Sequence, residues 1–334
     1  MESTKQLSCN TIRRSLLIAG SLAVSGIARA STYPDRPIHI LVPGAPGTAF
    51  DIVVRMIGEA LGRKYNQAVV IDNRAGASGL VGMRDFASNK PDGYTLMAGG
   101  LGPSVMLPAM FTHLPVDPRQ FLGVAELAES ANILVTRPDL PFKTVADLIA
   151  AAKARPGQLS MGTNDIGSSM HMSYELLAQK TDTKFIHVPY KGPNEVMSGL
   201  MSNTIDAGIT SFGPCVPMIK AGRLRALAVT TVYRQDLLSD VLTMQEAGIK
   251  DYDVGSWLCL HALKGTPSMV IEKVGDDVVE IVGRPAIGEK LKDAGYVPQG
   301  LNAKAFQAKW EKDLVFWTAV AKKANLVKDY RTKT

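Results

Sequence analysis

Apolar positions recur along the chain in two rhythms, and one gives way to the other almost without pause. Ile38–Val42 is a short β-branched-rich run, and directly after it Ile52, Val53, Met56, Ile57, Ala60 and Leu61 recur at helical spacing. Residues 68–71, 95–98 and 122–127 read as further strands. Such alternation predicts parallel strands joined by crossover helices. The pattern then restarts. Residues 132–136 read as a strand, and 144–154 as a helix with Thr144 as N-cap and Asp147 three residues on. Pro156-Gly157 ends that helix. Strands at 159–162, 185–188, 207–210 and 224–230 enclose a helix at 169–180 and a helix start at 196–201. A long β-like run at 254–263 precedes three helices, at Ser268–Val282, 286–294 and 303–324. Asn302 is placed to cap the last, with Phe306, Trp310, Leu314 and Trp317 along one side. No linker rich in Pro, Gly or Ser divides the chain. A middle domain inserted into the first, with crossings near 131–136 and 253–261, accounts for that.

Two segments share one layout. "HILVPGAPGTAFDIVVRM" and "LSMGTNDIGSSMHMSYELL" each run from a strand through a glycine-containing polar loop straight into a helix. Each is followed by a strand and a Gly-containing turn, "VVIDNRAGASG" and "FIHVPYKGPNE". A helix start leaves about four backbone N–H groups without internal partners and carries roughly half a positive charge. Glycine adds φ > 0 and close backbone approach. Gly44, Gly47, Thr48 and Ala49 in one loop, and Gly167, Ser168 and Ser169 in the other, are therefore candidate donors to an anion beyond the carboxyl ends of the strands. Such junctions also serve simply to reverse the chain. Neither loop contains GxxxxGK[ST], or GxGxxG followed by an acidic residue. A carboxylate is the anion that remains.

Size and composition narrow the class. A chain of 334 residues exceeds what one core usually supports, and 46% hydrophobic with 20% charged residues is ordinary for a globular protein. The start differs. Lys5, Arg13 and Arg14 precede an apolar run at 16–27 that ends in Ala28-Arg29-Ala30. This is the layout of an export signal cleaved near Ala30; about 12 apolar residues fall short of the roughly 20 a spanning helix needs. Arg13-Arg14 before Leu16-Leu17 leaves both the general and the twin-arginine export routes open, and Cys9 lies on the wrong side of the run for a lipid anchor. Residues 1–30 hold four cationic side chains and one anionic, so of the formal net charge of +6 about +3 remains after cleavage. With no basic cluster interleaved with aromatics, nucleic acid is excluded as a partner. Cys215 and Cys259 then remain, expected as two buried thiols; pairing them needs a proximity that sequence does not supply.

From residue 33 to about 325, "YPDRPIHILVPGAPGTAFDIVVRMIGEAL", "VVIDNRAGASGLVG", "KPDGYTLMAGG", "GSSMH", "HVPYKG", "IKAGRLRALAVTT" and "LKGTPSMVIEKV" follow one another in order. The ordered set resembles the Bug-type (TctC-like) extracytoplasmic receptors, the substrate-binding components of tripartite tricarboxylate transporters. The resemblance implies an α/β fold of the type II periplasmic-binding-protein kind: two lobes with mixed, mostly parallel sheets and a ligand cleft between them. Lobe one would comprise 31–131 and 256–334, and lobe two 132–255. It implies a monomeric periplasmic receptor, not embedded in the membrane, for a small carboxylate, with membrane transporter subunits or a sensor kinase as partner and neither cofactor nor metal. Relatives hold the ligand carboxylate with the loop after the first strand and the loop opening a helix in the other lobe, partly through water. By position this points to Gly47, Thr48, Ala49 and Asp51, and to Gly167, Ser168, Ser169 and His171. The chain departs from relatives at Thr48, where a second glycine is usual. It departs again at "GGLGPSV", which leaves Gly102, Pro103 and Ser104, and at "SFGPCVP", which puts Thr210, Ser211, Phe212 and Cys215 near the cleft.

Several of these residues have a plainer role open to them. Asp51 in a first turn stabilises a helix start whether or not it meets ligand. His171 reaches either ligand or its own loop, Arg74 and Lys191 act as countercharges or as loop braces, and Phe50, Met170 and Phe212 as a lid or as core. Catalysis is not expected. His39, His113, His171, His187 and His261 show no HxxxH spacing, no serine lies in GxSxG, and a serine opening a helix beside a histidine is more commonly a cap. About three charge-assisted backbone hydrogen bonds at roughly 1.5–3 kcal/mol each fall short of a micromolar Kd once binding entropy is subtracted. The ligand therefore needs an apolar body, which favours an aromatic or hydrophobic monoacid or diacid over citrate.

Overall fold

A β-branched run that enters a glycine loop and then a helix is what the chain builds first. The computed structural model describes residues 33–76 and 79–332. The export signal read in residues 1–30, and Ala77 and Ser78 of the first Gly-containing turn, lie outside the described residues. Strand β1 (Ile38–Val42) leads into helix α1 (Ala49–Tyr65), whose Val53, Val54, Ile57, Ala60 and Leu61 are buried at helical spacing. Asn66 ends α1 in the left-handed region, at φ 50°. Then come β2 (Val69–Asn73), α2 (Leu80–Ala87) and β3 (Thr95–Gly100). A π-helical turn over Gly102–Met106 runs into α3 (Leu107–Met110) and β4 (Phe111–Thr112).

Strand β5 (Phe121–Thr136) is followed by α4 (Val145–Ala154), held by the expected reciprocal bonds between Thr144 and Asp147. The second run is β6 (Ser160–Asn164), α5 (Ser169–Thr181), β7 (Ile186–Tyr190), α6 (Pro193–Met201), β8 (Ala207–Ser211), α7 (Phe212–Lys220) and β9 (Arg225–Val229). After a return segment come β10 (Gly255–Leu263), α8 (Ser268–Val282), α9 (Pro285–Asp293), β11 (Val297–Leu301), α10 (Ala303–Lys323) and β12 (Lys328–Asp329). Asn302 caps α10 through the Ala305 N–H, and Phe306, Trp310 and Trp317 of its inner side are buried.

The two runs are wired alike. Strand β1 lies between β2 and β3, parallel to both; β6 lies between β7 and β8, parallel to both. The outer strand of each trio then meets an antiparallel neighbour, β3 against β10 and β8 against β5. Each glycine loop therefore leaves the carboxyl end of the central strand of its trio, where open α/β sheets place their ligands.

Two strands expected at 122–127 and 132–136 are one strand of 16 residues. The Glu-Ser-Ala-Asn stretch in its middle reads as a break, yet its polar groups find partners. Along its first part β5 pairs with β10 and β11, and along its second with β8 and β9, so one strand serves both halves of the sheet. Glu126 is wholly buried with Lys309 Nζ at 3.0 Å; Glu129 also meets Lys309 and accepts from Tyr233 Oη at 2.6 Å and Gln299 Nε2 at 3.0 Å. The buried Asn132 donates through Nδ2 to Val254 O, and Thr230 Oγ1 donates to that same carbonyl, which joins the outgoing crossing to the returning one.

Helix α8 approaches β5 so closely that a Cβ on Gly275 would stand 2.6 Å from Val124 O and 3.0 Å from Ala303 N. Both are backbone atoms. Gly275→Ala is expected to lower unfolding stability by about 1–3 kcal/mol in urea titrations. Burial pushes the Glu126 carboxyl up to about 7 against the pull of Lys309, from an ordinary 4.5. A raised carboxyl pKa favours the fold in its protonated form, so the contribution is whole below about 4.5 and lost as pH rises through about 7. Urea unfolding near pH 5 and near pH 8 should show wild type losing up to about 3 kcal/mol more than Glu126→Gln over that span. Equal losses in both proteins would contradict it.

Candidate ligand-binding cleft

At the end of β1 the chain turns at Gly47, whose φ of +77° only glycine adopts freely. Thr48 caps α1: its Oγ1 accepts the Asp51 N–H at 3.3 Å and donates to Ala45 O at 3.1 Å. The Asp51 carboxylate reaches back and accepts the Gly47 N–H at 2.8 Å. At the end of β6 the same device recurs. Gly167 sits at φ +83°, Ser168 Oγ accepts the His171 N–H at 3.1 Å, and the Gly167 N–H donates to His171 Nδ1 at 3.1 Å. Each loop is thus glycine, hydroxyl cap, two residues, acceptor. The Gly47 and Gly167 amides, anticipated as donors to an anion, are both engaged within their own loops.

The two acceptors differ in what surrounds them. Asp51 also takes Arg55 Nε at 2.8 Å and Asn73 Nδ2 at 2.9 Å, and is 1% exposed. Burial pushes its carboxyl up, but bonds from Arg55, the Gly47 amide and Asn73 more than offset this, and the net shift is downward. His171 is equally buried, but only one of its nitrogens is spent on the loop. Because Nδ1 accepts from Gly167, the proton of the neutral ring sits on Nε2, which lies 3.6 Å from Glu175 Oε1. Its ring stacks on His187 at 4.5 Å, and His187 stacks on Tyr174 at 5.0 Å, all nearly parallel. His187 Nε2 bonds Thr163 Oγ1 at 2.7 Å, and burial, reinforced by His171, pushes its pKa down to about 4.

Beside this stack opens a cavity of about 1140 Å³. Asp165, Ile166, Gly167, Ser168, His171 and Glu175 form one wall, continued by His187, Pro189, Tyr190, Lys191 and Glu195. Facing them are Leu80, Gly102, Pro103, Leu107, Met110 and Phe111, and Leu326, Lys328 and Tyr330 close a further side. Among the described residues no group of three His, Cys, Asp or Glu side chains could hold a metal ion.

Of the residues singled out from sequence, the structure brings Gly102, Pro103, Gly167, Ser168 and His171 to this cavity, together with Lys191. It places Gly47 and Thr48 on the exposed start of α1, with Ala49 as that helix's first residue and Asp51 beneath it. Ser104 is buried, its Oγ 2.8 Å from His261 Nε2 and its carbonyl accepting from Trp310 Nε1. Ser169 Oγ donates to Asn132 Oδ1, Thr210 Oγ1 donates to Asn164 Oδ1 at 2.8 Å, and Phe212 packs in a core cluster with Ile133 and Cys215. Arg74 pairs with Asp85. Cys215 and Cys259 are both free and buried. Glu175, His187, Met110, Phe111, Lys328 and Tyr330 were not anticipated. Glu175 was within reach, since it stands four residues after His171 on the same helix face; the aromatic and basic residues after α10 carry no motif.

A two-lobed α/β fold of the type II binding-protein kind, with parallel trios turned toward a cleft, defines a class that takes up solutes. The family model described as "Tripartite tricarboxylate transporter family receptor" matches residues 53–326. The chain belongs to this family. It is 32% identical to Protein BugT of Bordetella pertussis over 296 residues, 86% of this chain and 90% of that protein. Among solved structures it resembles Rpa4515 of R. palustris with adipate: TM-score 0.75, 33% identity, 88% of this chain and 98% of that one. It also resembles the periplasmic binding protein BugD: TM-score 0.72, 28% identity, 89% of this chain and all of that one. Among the described residues no helix is long and apolar enough to cross a membrane.

Asp51→Ala strips the Gly47 amide and Arg55 of an acceptor and should cost about 1–3 kcal/mol in urea unfolding. His171→Ala removes part of the cavity wall and should weaken solute binding in calorimetry, where Asp51→Ala has the smaller effect.

Proposed function

We propose that this receptor captures a small carboxylate with an apolar body between its lobes, divided as 31–131 with 256–334 and 132–255. On this reading it works as a monomer in the periplasm, after removal of a signal ending near Ala30, and delivers its solute to the membrane subunits of a tripartite tricarboxylate-type transporter. The observation that carries the reading is a single cavity with two unlike walls. One holds the positive start of α5, at Ser168, with His171 beside it. The other is the apolar face of Leu107, Met110 and Phe111. The volume of about 1140 Å³ lies just above the range of small-molecule sites, which run to about 1,000 Å³. Adipate in the related Rpa4515 supports an acid with a hydrocarbon body.

Binding without chemistry fits the hydroxyl and imidazole pairs. Ser168 Oγ is occupied as a cap, donating to Asn164 O, and the Ser104–His261 contact is sealed in the core. Three cavity carboxylates, Asp165, Glu175 and Glu195, oppose a polyanion. A thermal-shift screen over mono-, di- and tricarboxylates tests this. An apolar or aromatic mono- or diacid at about 100 times its Kd should raise Tm by about 4 °C. Stabilisation by citrate alone would reject the preference, and turnover of any of these acids would reject the receptor role.

A further inference from the structure

Past α10 the chain turns back to the cleft. Strand β12 runs parallel to β4, Lys328 opposite Phe111 and Asp329 opposite Thr112, and the Tyr330 ring meets Phe111 edge-on at 5.9 Å. Lys328, on β12, and Tyr330, in the turn that follows it, line the cavity, whereas Asp329 between them is held by Arg331 Nη2 at 2.7 Å and His113 Nδ1 at 3.3 Å. Those bonds keep the strap's own carboxylate occupied. Among the described residues Lys328 has no ion-pair partner. The three carboxylates of the cavity, Asp165, Glu175 and Glu195, all belong to the opposite wall. On that wall the start of α5 at Ser168 and Lys191 stand beside these carboxylates, and a second anionic group held away from them is drawn to the strap. Lys328 and Tyr330 also lie past residues 53–326, the stretch matched by the family model.

We propose that this strap determines specificity: Lys328 receives a carboxylate of the ligand, and Tyr330 with Phe111 packs on its apolar body. The proposal rests on the carboxylate-receptor reading above. Its test is calorimetry of the whole mature protein against aliphatic and aromatic mono- and dicarboxylates, adipate among them, and their methyl esters. Wild type binds at least one acid; Lys328→Gln weakens that acid about tenfold, Lys328→Arg holds it within about threefold, and the uncharged ester responds to neither change. If wild type binds an acid and Lys328→Gln binds it equally, the strap assignment falls and the receptor reading stands. If ester and acid lose affinity alike in Lys328→Gln, the lysine acts on the fold and not on charge, and the assignment falls as well. If wild type binds no acid of the panel, the receptor reading fails and the strap assignment fails with it.

Discussion

A helix that begins where a strand ends leaves its first amides without carbonyls behind them, and each must find an acceptor ahead. This chain solves the problem twice in one way: a left-handed glycine, a hydroxyl cap, and an acceptor side chain four residues on. The geometry leaves few alternatives. Glycine is needed because the turn demands positive φ, the hydroxyl because the third helical amide points at it, and the acceptor because the glycine amide is otherwise orphaned. What differs is the acceptor. Asp51 is charged, surrounded by Arg55 and Asn73, and fully spent. His171 spends one nitrogen on the loop and turns the other to Glu175 Oε1, 3.6 Å away. One scaffold device thus yields a brace in the first half and a hydrogen-bond donor in the second.

The position of the strap depends on a second constraint, the sharing of β5 by both halves. A strand that crosses a whole sheet buries most of the residues it carries, Glu126 wholly and Glu129 in large part. Desolvating two carboxylates is tolerable only with a cation between them, and Lys309 of α10 supplies it. The same lysine anchors α10 against the crossing strand, with the Trp257 Nε1–H to Asp313 bond alongside at 2.9 Å. The strap starts where α10 ends, so the buried ion cluster and the cavity wall are linked through a single helix.

Much of this was legible from the residues. The glycine loops, the Thr144 and Asn302 caps, the inner side of α10 and the alternation of strand and helix all follow local rules that act within a few residues. The failures share one cause. Whether Glu129 breaks a strand or sits within it is decided by Lys309, 180 residues away. Whether Ser104 or Thr210 faces a ligand is decided by His261 and Asn164, which no local pattern places beside them. β12, two residues long, exists because β4 is there to pair with it, not because its sequence favours a strand. Local chemistry was readable; partners brought in by the fold were not.

Charge bookkeeping across the cavity sets the limit on what can occupy it. At pH 7 His187 is neutral, its pKa pushed by burial to about 4, so it offers no countercharge. Burial also raises the Asp165 carboxyl, with Glu195 adding to the shift, which marks that corner as already rich in negative charge. Two lysines, Lys191 and Lys328, stand against three carboxylates. A second or third ligand carboxylate placed about 6 Å from one of these costs roughly 3 kcal/mol at an effective dielectric of about 20. That is more than one charge-assisted bond to a backbone amide commonly returns. Each added anionic group must therefore bring its own cation or lie along the Lys328 side. A ligand with one or two carboxylates and a hydrocarbon body meets that condition, because one carboxylate can lie at the start of α5, a second at Lys328, and the uncharged length along Leu107, Met110 and Phe111.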